Sequence, residues 1–67
     1  MISLTINGEV RDVPAGKLLS DLIEELDLPD TRIAIEVNGS VIRRNAWCDV
    51  TLSDSDVLEI IHFVGGG

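Results

Sequence analysis

The chain has 67 residues, and 45% of them are hydrophobic, which favours one folded domain and leaves no room for a second core. Twelve acidic residues against five basic ones give a formal net charge of −7, which argues against nucleic-acid binding. This charge indicates either a basic protein partner or only a means of keeping a small protein in solution. The one cysteine, Cys48, excludes an internal disulfide, and we expect a soluble cytoplasmic protein because neither a signal sequence nor a membrane-spanning apolar run is present.

The first half of the chain predicts a hairpin followed by one helix. Ile2 to Ile6 alternates apolar and polar side chains, which is typical of a half-buried strand. Asn7-Gly8 predicts a tight turn into a second strand, Glu9 to Val13. Leucine and isoleucine then recur at helical spacing, which predicts an amphipathic helix from about Leu18 to Asp27. Leu28-Pro29-Asp30 is expected to end this helix.

The second half of the chain predicts three further strands. Ile33 to Val37 is rich in β-branched residues, and Asn38-Gly39 predicts a tight turn into a short strand at Val41-Ile42. After an irregular stretch, the polar turn Asp54-Ser55-Asp56 precedes the last strand, Val57 to Val64. We therefore expect an α+β fold, in which one helix packs across one face of a single sheet.

Side chains along a strand point alternately to the two faces of the sheet, which predicts which residues of the last strand lie on the uncovered face. Leu58 and Ile60 are expected to point toward the helix. The residues that then point away are Val57, Glu59, Ile61 and Phe63. Ile61 and Phe63 would be exposed apolar groups near the chain end, which indicates a docking surface for another protein.

The sequence ends in Gly65-Gly66-Gly67, directly after the last strand. Without a Cβ, such a segment can enter a slot that is too narrow for other residues. Fully extended, it reaches roughly 10 Å, at about 3.3–3.6 Å per residue, and could carry the carboxylate of Gly67 into another protein's active site. The alternative is an inert, disordered chain end. We divide the chain into a folded domain, 1–64, and a flexible tail, 65–67.

Several segments carry a resemblance to a known family. They are the glycine-led helix at 16–26, the hairpin at 37–47 with Arg44 and Trp47, the turn and strand at 54–61, and His62-Phe63-Val64 before the glycines. In this order they resemble the ubiquitin-like β-grasp sulfur carriers, and among these the carriers of thiamine biosynthesis. The resemblance covers essentially the whole chain. Ser55 stands where the family usually has glycine, and Lys17 stands where threonine is usual, which weakens the helix cap.

The resemblance implies a β-grasp fold, with one helix across one face of a mixed sheet of about four or five strands. It also implies a carrier protein that is not itself an enzyme. In the family, a ubiquitin-activating-type enzyme uses ATP to adenylate the terminal carboxylate, here that of Gly67. Sulfur, ultimately taken from cysteine by a desulfurase, then displaces AMP and leaves a thiocarboxylate. A thiazole synthase consumes this sulfur while it builds the thiazole ring of thiamine. Gly65 and Gly66 would form the narrow approach. Arg44 is a candidate for docking to a partner together with Ile61 and Phe63. The alternative is that Arg43 or Arg44 only neutralises nearby acidic side chains.

The side chains themselves indicate no catalytic or metal site. His62 is the only histidine, and no serine or cysteine stands at a spacing that indicates a triad with it. One histidine and Cys48 are too few ligands for structural zinc. We expect Cys48 to be a packed small hydrophobe and Trp47 to anchor the irregular segment. Asp54 and Asp56 are expected to form a turn, since the further ligands of a calcium loop are missing. ATP would therefore be bound by the partner.

Three other functions remain open at this point. The small subunit of molybdopterin synthase has the same fold and tail chemistry, although the short length and the segment from Arg44 to Trp47 favour thiamine biosynthesis. A ubiquitin-like modifier would instead form an isopeptide bond between Gly67 and lysines of other proteins. A plain interaction module would function without Gly66 and Gly67.

Overall fold

The computed structural model describes residues 1–28 and 31–63. The elements follow in the order β1 (Ile2–Ile6), β2 (Glu9–Val13), α1 (Leu19–Glu25), β3 (Ile33–Val37), β4 (Ser40–Ile42), a 3-10 helix (Arg44–Asp49) and β5 (Val57–His62). The predicted order of strands and helix is confirmed. The predicted end of the last strand, Val64, lies outside the described residues.

The strands form one sheet in the order β2-β1-β5-β3-β4. Strands β1 and β5 are parallel, and the other neighbouring pairs are antiparallel. This mixed sheet with one helix confirms the predicted α+β, β-grasp class. The last β1–β5 pair is Ile6 with Leu58, so the second half of β5 continues past the end of β1. The central strand of the sheet therefore leads toward the glycine tail.

The core lies between α1 and one face of the sheet. The helix contributes Leu19, Leu22 and Ile23, whose spacing places them on one side of the helix. The other buried apolar residues are Leu4, Val13, Ile33, Ile35, Trp47, Leu52, Leu58 and Ile60. Leu58 and Ile60 face this core, as the alternation along the last strand predicts. The opposite face of the sheet carries no helix among the described residues.

Helix α1 begins one residue later and ends two residues earlier than its sequence pattern predicts. The N-cap is Leu18, which offers no side-chain cap, although the Asp21 carboxylate accepts a hydrogen bond from the Leu18 N–H at 3.4 Å. The helix stops before Asp27 because that residue adopts a left-handed backbone, with φ of 55°.

The Lys17 ammonium forms a hydrogen-bonded ion pair with the Glu25 carboxylate near the end of the helix. The hydrogen bond, together with the positive charge of Lys17, holds the pKa of the Glu25 carboxyl below its usual value.

The irregular stretch folds as the 3-10 helix, and one prediction there is wrong. Trp47 is buried, as expected, and its Nε1–H donates to the Ile42 carbonyl at 3.0 Å. Cys48, which we expected to be packed, is exposed. A 3-10 helix turns about 120° per residue, at three residues per turn, so the neighbour of an inward-facing side chain points away from the core.

Ser55 is strained, and we predict that Ser55→Gly stabilises the domain. The turn closes through a 3.2 Å hydrogen bond from the Asp56 N–H to the Ser53 carbonyl, and Ser55 occupies its third position with φ of 71°. A type II turn requires this positive φ, which suits glycine. The left-handed backbone costs a non-glycine residue about 1–2 kcal/mol, and glycine's unfolded-state entropy offsets part of this. We expect a net gain of about 0.5–1 kcal/mol in the free energy of unfolding, measured in urea.

The matched control for this prediction is Ser53→Gly in the same turn. Ser53 does not have a positive φ, so glycine should lower the stability there. Equal effects of the two substitutions would contradict the proposed strain at Ser55.

Candidate functional site

The predicted reactive residue, Gly67, and the predicted approach segment, Gly65 and Gly66, lie outside the described residues. The described part of the candidate site is the second half of β5 with Phe63, which leads to the tail. We call this segment, 60–63, the tail root.

One side of the tail root is held by β3. Ile61 lies opposite Ala34 and His62 lies opposite Ile33 in an antiparallel register. The Phe63 N–H donates to the Arg32 carbonyl at 2.8 Å, which extends the ladder beyond the end of β5. The backbone is therefore paired up to the last described residue before the tail.

The other side of the tail root is held by the side chain of Asn7. Strand β1 has ended at this point, and Asn7 sits in the tight turn with φ of 49°. Its Oδ1 accepts a hydrogen bond from the Ile60 N–H at 2.7 Å, and its Nδ2–H donates to the Ile60 carbonyl at 3.2 Å. The side-chain amide of Asn7 thus makes the two hydrogen bonds to β5 that the backbone of a further β1 residue would otherwise make. The sequence predicts Asn7 only as a turn residue, because nothing local indicates a contact 53 positions away.

Asn38 fixes the start of β5 in a similar way. Its Oδ1 accepts a hydrogen bond from the Val57 N–H at 2.9 Å, and its backbone N–H donates to the Val57 carbonyl at 2.7 Å. Its Nδ2–H also donates to the Asp56 carboxylate at 2.9 Å. Both predicted turns are confirmed, with the left-handed backbone that two-residue hairpin turns require. Both turn asparagines also position the strand that leads to the tail.

The uncovered face of the sheet carries the predicted apolar side chains. Val57, Ile61 and Phe63 are 45%, 47% and 59% exposed, and Glu59 is exposed with them. The predicted outward alternation of the last strand is confirmed. Arg44 is exposed at the start of the 3-10 helix, which packs against α1 rather than on this face. The structure therefore does not place Arg44 in one patch with Ile61 and Phe63.

A groove of about 320 Å³ lies beside the tail root on the helix side. Its walls include Ile60 and His62 from β5, Arg11 from β2 and Leu28 after the helix. Among residues 1–28 and 31–63, no serine or cysteine lines this groove next to His62. The groove lies next to the tail root, and its lining includes the ionisable side chains of Glu9, Arg11 and His62.

Within the described residues, no group of three or more His, Cys, Asp or Glu side chains is placed to hold a metal ion. Nor does any helix among them have the length and apolar character needed to cross a membrane.

The comparison with protein families decides the assignment. The model of the ThiS family matches residues 4–67, which includes the tail root and the glycine tail. The chain belongs to the ThiS family.

Individual relatives agree with this assignment. The sulfur carrier protein ThiS of Bacillus subtilis is 39% identical over 67 residues, covering 96% of this chain and 98% of that protein. Thiazole synthases of Paramagnetospirillum magneticum and Magnetococcus marinus are 35% and 33% identical over 66 residues. The chain spans only 20% of the length of these two synthases.

A solved structure shares the fold. The crystal structure of the thiamine biosynthesis protein ThiS from Geobacter metallireducens superimposes with a TM-score of 0.85. It is 30% identical, and the alignment covers 98% of this chain and all of that one. The β-grasp assignment thus rests on both the strand order and a full-length structural match.

Proposed function

We propose that this chain is a sulfur carrier protein of thiamine biosynthesis and that Gly67 carries the sulfur as a thiocarboxylate. The observation that carries the proposal is the match to the Bacillus subtilis sulfur carrier protein over nearly the full length of both chains. The structure supports it through the tail root, which β3 and Asn7 hold on opposite sides. Because both sides of the tail root are hydrogen-bonded, the segment that precedes the tail has a fixed position on the domain.

The proposed chemistry converts an unreactive carboxylate into a sulfur donor. A carboxylate oxygen of Gly67 attacks the α-phosphorus of ATP, which forms an acyl-adenylate and releases pyrophosphate. A sulfur nucleophile then attacks the carbonyl carbon and displaces AMP. When this nucleophile is the outer sulfur of a desulfurase persulfide, the product is an acyl disulfide. A thiol then attacks the donor-side sulfur, and cleavage of the S–S bond releases the C-terminal thiocarboxylate and leaves a disulfide between the donor and that thiol. Glycine leaves this carbon open to attack, and a partner that holds it in place can lower the barrier by about 7–11 kcal/mol.

The partners in this proposal are an adenylating enzyme of the ubiquitin-activating type, a desulfurase that supplies sulfur, and a thiazole synthase. ATP would bind to the adenylating enzyme, because the three consecutive glycines, 65–67, come after the last strand in the sequence and are not followed by a helix as in a phosphate-binding loop. Support for the synthase comes from two relatives of that name, in which a segment similar to this chain forms about a fifth of a longer protein. Ile61 and Phe63 are the proposed apolar contacts for these partners.

The direct test is the intact mass of the protein after incubation with ATP, an adenylating enzyme and a sulfur donor. We expect a gain that corresponds to the replacement of one oxygen by sulfur, located at Gly67 by fragmentation. Omitting ATP should prevent the gain, because AMP is the leaving group. An unchanged mass with an adenylating enzyme that activates another carrier would contradict the proposal. Appearance of Gly67 in isopeptide bonds to lysines would favour a ubiquitin-like modifier.

A further inference from the structure

Two asparagine turns bind the strand that leads to the tail, but they bind it at opposite ends. Asn7 and Asn38 are both exposed, and both have a left-handed backbone, with φ of 49° and 53°. The Oδ1 of Asn38 accepts a hydrogen bond from the Val57 N–H, at the start of β5, whereas the Oδ1 of Asn7 accepts one from the Ile60 N–H. Of these two similar turns, the one at Asn7 therefore acts on the tail root.

Within residues 1–28 and 31–63, Asn7 provides the last hydrogen bonds on its side of β5. The backbone pairing of β1 with β5 ends at Ile6 and Leu58, and the Asn7 N–H adds a bond to the Leu58 carbonyl at 3.0 Å. Both bonds to Ile60 come from the Asn7 side chain. Loss of that side chain would therefore leave β3 as the described support of the tail root.

The start of β5 depends much less on the side chain of Asn38. Val57 is paired with Thr5 on the β1 side. On the other side, the Asn38 backbone N–H donates to the Val57 carbonyl at 2.7 Å, and this bond does not need the side chain. The strand start would therefore stay held from both sides without the Asn38 amide.

The position of the tail root limits which points the carboxylate of Gly67 can reach. Gly67 is four residues beyond Phe63 in the sequence, which is at most about 13–14 Å at about 3.3–3.6 Å per residue. If residues 60–63 separate from the sheet, they too have to be ordered when the tail enters a partner's slot, and each ordered residue costs conformational entropy. A reacting group that is already held reacts faster than one that has to be ordered during the step.

We infer that Asn7 is a positioning residue for the adenylation of Gly67 and that it acts through the backbone of Ile60. This inference rests on the proposed function, in which a carboxylate oxygen of Gly67 attacks the α-phosphorus of ATP and releases pyrophosphate. The folded surface of the domain docks on the adenylating enzyme whether or not Asn7 holds the root. Asn7 therefore affects kcat of adenylation and has little effect on the KM for the carrier protein.

The test compares Asn7→Gly with the matched control Asn38→Gly in carrier-dependent exchange of pyrophosphate into ATP by a purified adenylating enzyme. Glycine tolerates the positive φ at both positions, so each substitution removes side-chain hydrogen bonds and keeps the turn. For Asn7→Gly we expect kcat to fall about tenfold, with the KM within about twofold of the parent value. For Asn38→Gly, both constants should stay within about twofold. Asn7→Asp keeps an acceptor for the Ile60 N–H and should recover part of the lost kcat.

Two readouts separate positioning from a loss of folding. A partly unfolded variant lowers the concentration of folded carrier, which raises the apparent KM but leaves kcat unchanged at saturating carrier. Amide hydrogen exchange reports the local change directly. It should become faster at Ile60 in Asn7→Gly and at Val57 in Asn38→Gly.

Equal losses of kcat in both glycine variants, a change in KM alone, or an unchanged kcat in Asn7→Gly would overturn the inference. In each of these cases, pyrophosphate exchange by the parent protein leaves the proposed function standing. If the parent supports no pyrophosphate exchange with an enzyme that activates another carrier, the proposed function and this inference both fail.

Discussion

Deletion of Gly66 and Gly67 is expected to abolish sulfur loading, with a loss of at least about 1000-fold in rate. The shortened chain would end at Gly65, so its carboxylate would stop short of the partner's reacting groups by about 7 Å of extended backbone. Because both deleted glycines follow β5, the fold should be unaffected. The measurement is the rate of mass gain with ATP, adenylating enzyme and sulfur donor, together with the unfolding midpoint in urea.

A second tail variant separates the position of the carboxylate from the composition of the tail. One alanine added after Gly67 keeps all three glycines but moves the carboxylate outward and places a side chain on the reacting residue. We expect this variant to load poorly as well, while it still binds the adenylating enzyme. Undiminished loading of either variant would contradict the role of Gly67, because the sulfur would then be carried elsewhere on the chain.

Trp47→Ala is expected to bring the domain close to unfolding. The side chain is only 4% exposed, and its Nε1–H donates to the Ile42 carbonyl. Replacing a buried aromatic residue by alanine costs about 3–5 kcal/mol. A domain of this length has a total stability of roughly 3–10 kcal/mol, at about 0.05–0.15 kcal/mol per residue. We expect the unfolding temperature to fall by at least about 12 °C, followed by circular dichroism.

The control for this prediction is the neighbouring substitution Cys48→Ala. Since Cys48 is exposed, its replacement should change the free energy of unfolding by less than about 0.5 kcal/mol. A third variant, Trp47→Phe, keeps most of the buried ring but removes the N–H donor, so its stability should lie between those of the parent and Trp47→Ala. Similar losses for Cys48→Ala and Trp47→Ala would show that Trp47 does not anchor the 3-10 helix to the core.

The predictions that the structure confirms depend on properties of residues that are close together in the chain. The Asn7-Gly8 and Asn38-Gly39 turns follow from the left-handed backbone that these residues tolerate. The strands and the helix are predicted by the spacing at which apolar side chains recur along the chain. The outward direction of Ile61 and Phe63 follows from strict alternation along a strand. The glycine tail, from which the chemistry at Gly67 is proposed, is likewise visible in the sequence alone.

Only the tertiary structure decided which distant residues meet. The parallel pairing of β1 with β5, the amide of Asn7 on the backbone of Ile60, and the pairing of Glu36 with Glu59 each join residues that are far apart in the chain. Strand register depends on how all elements bury their apolar faces together, so no local pattern specifies it. For the same reason the exposure of Cys48 was mispredicted, because the orientation of a short 3-10 helix is set by the burial of Trp47. The sequence thus determined the elements and the tail, and tertiary packing determined how the tail root is held and what surrounds it.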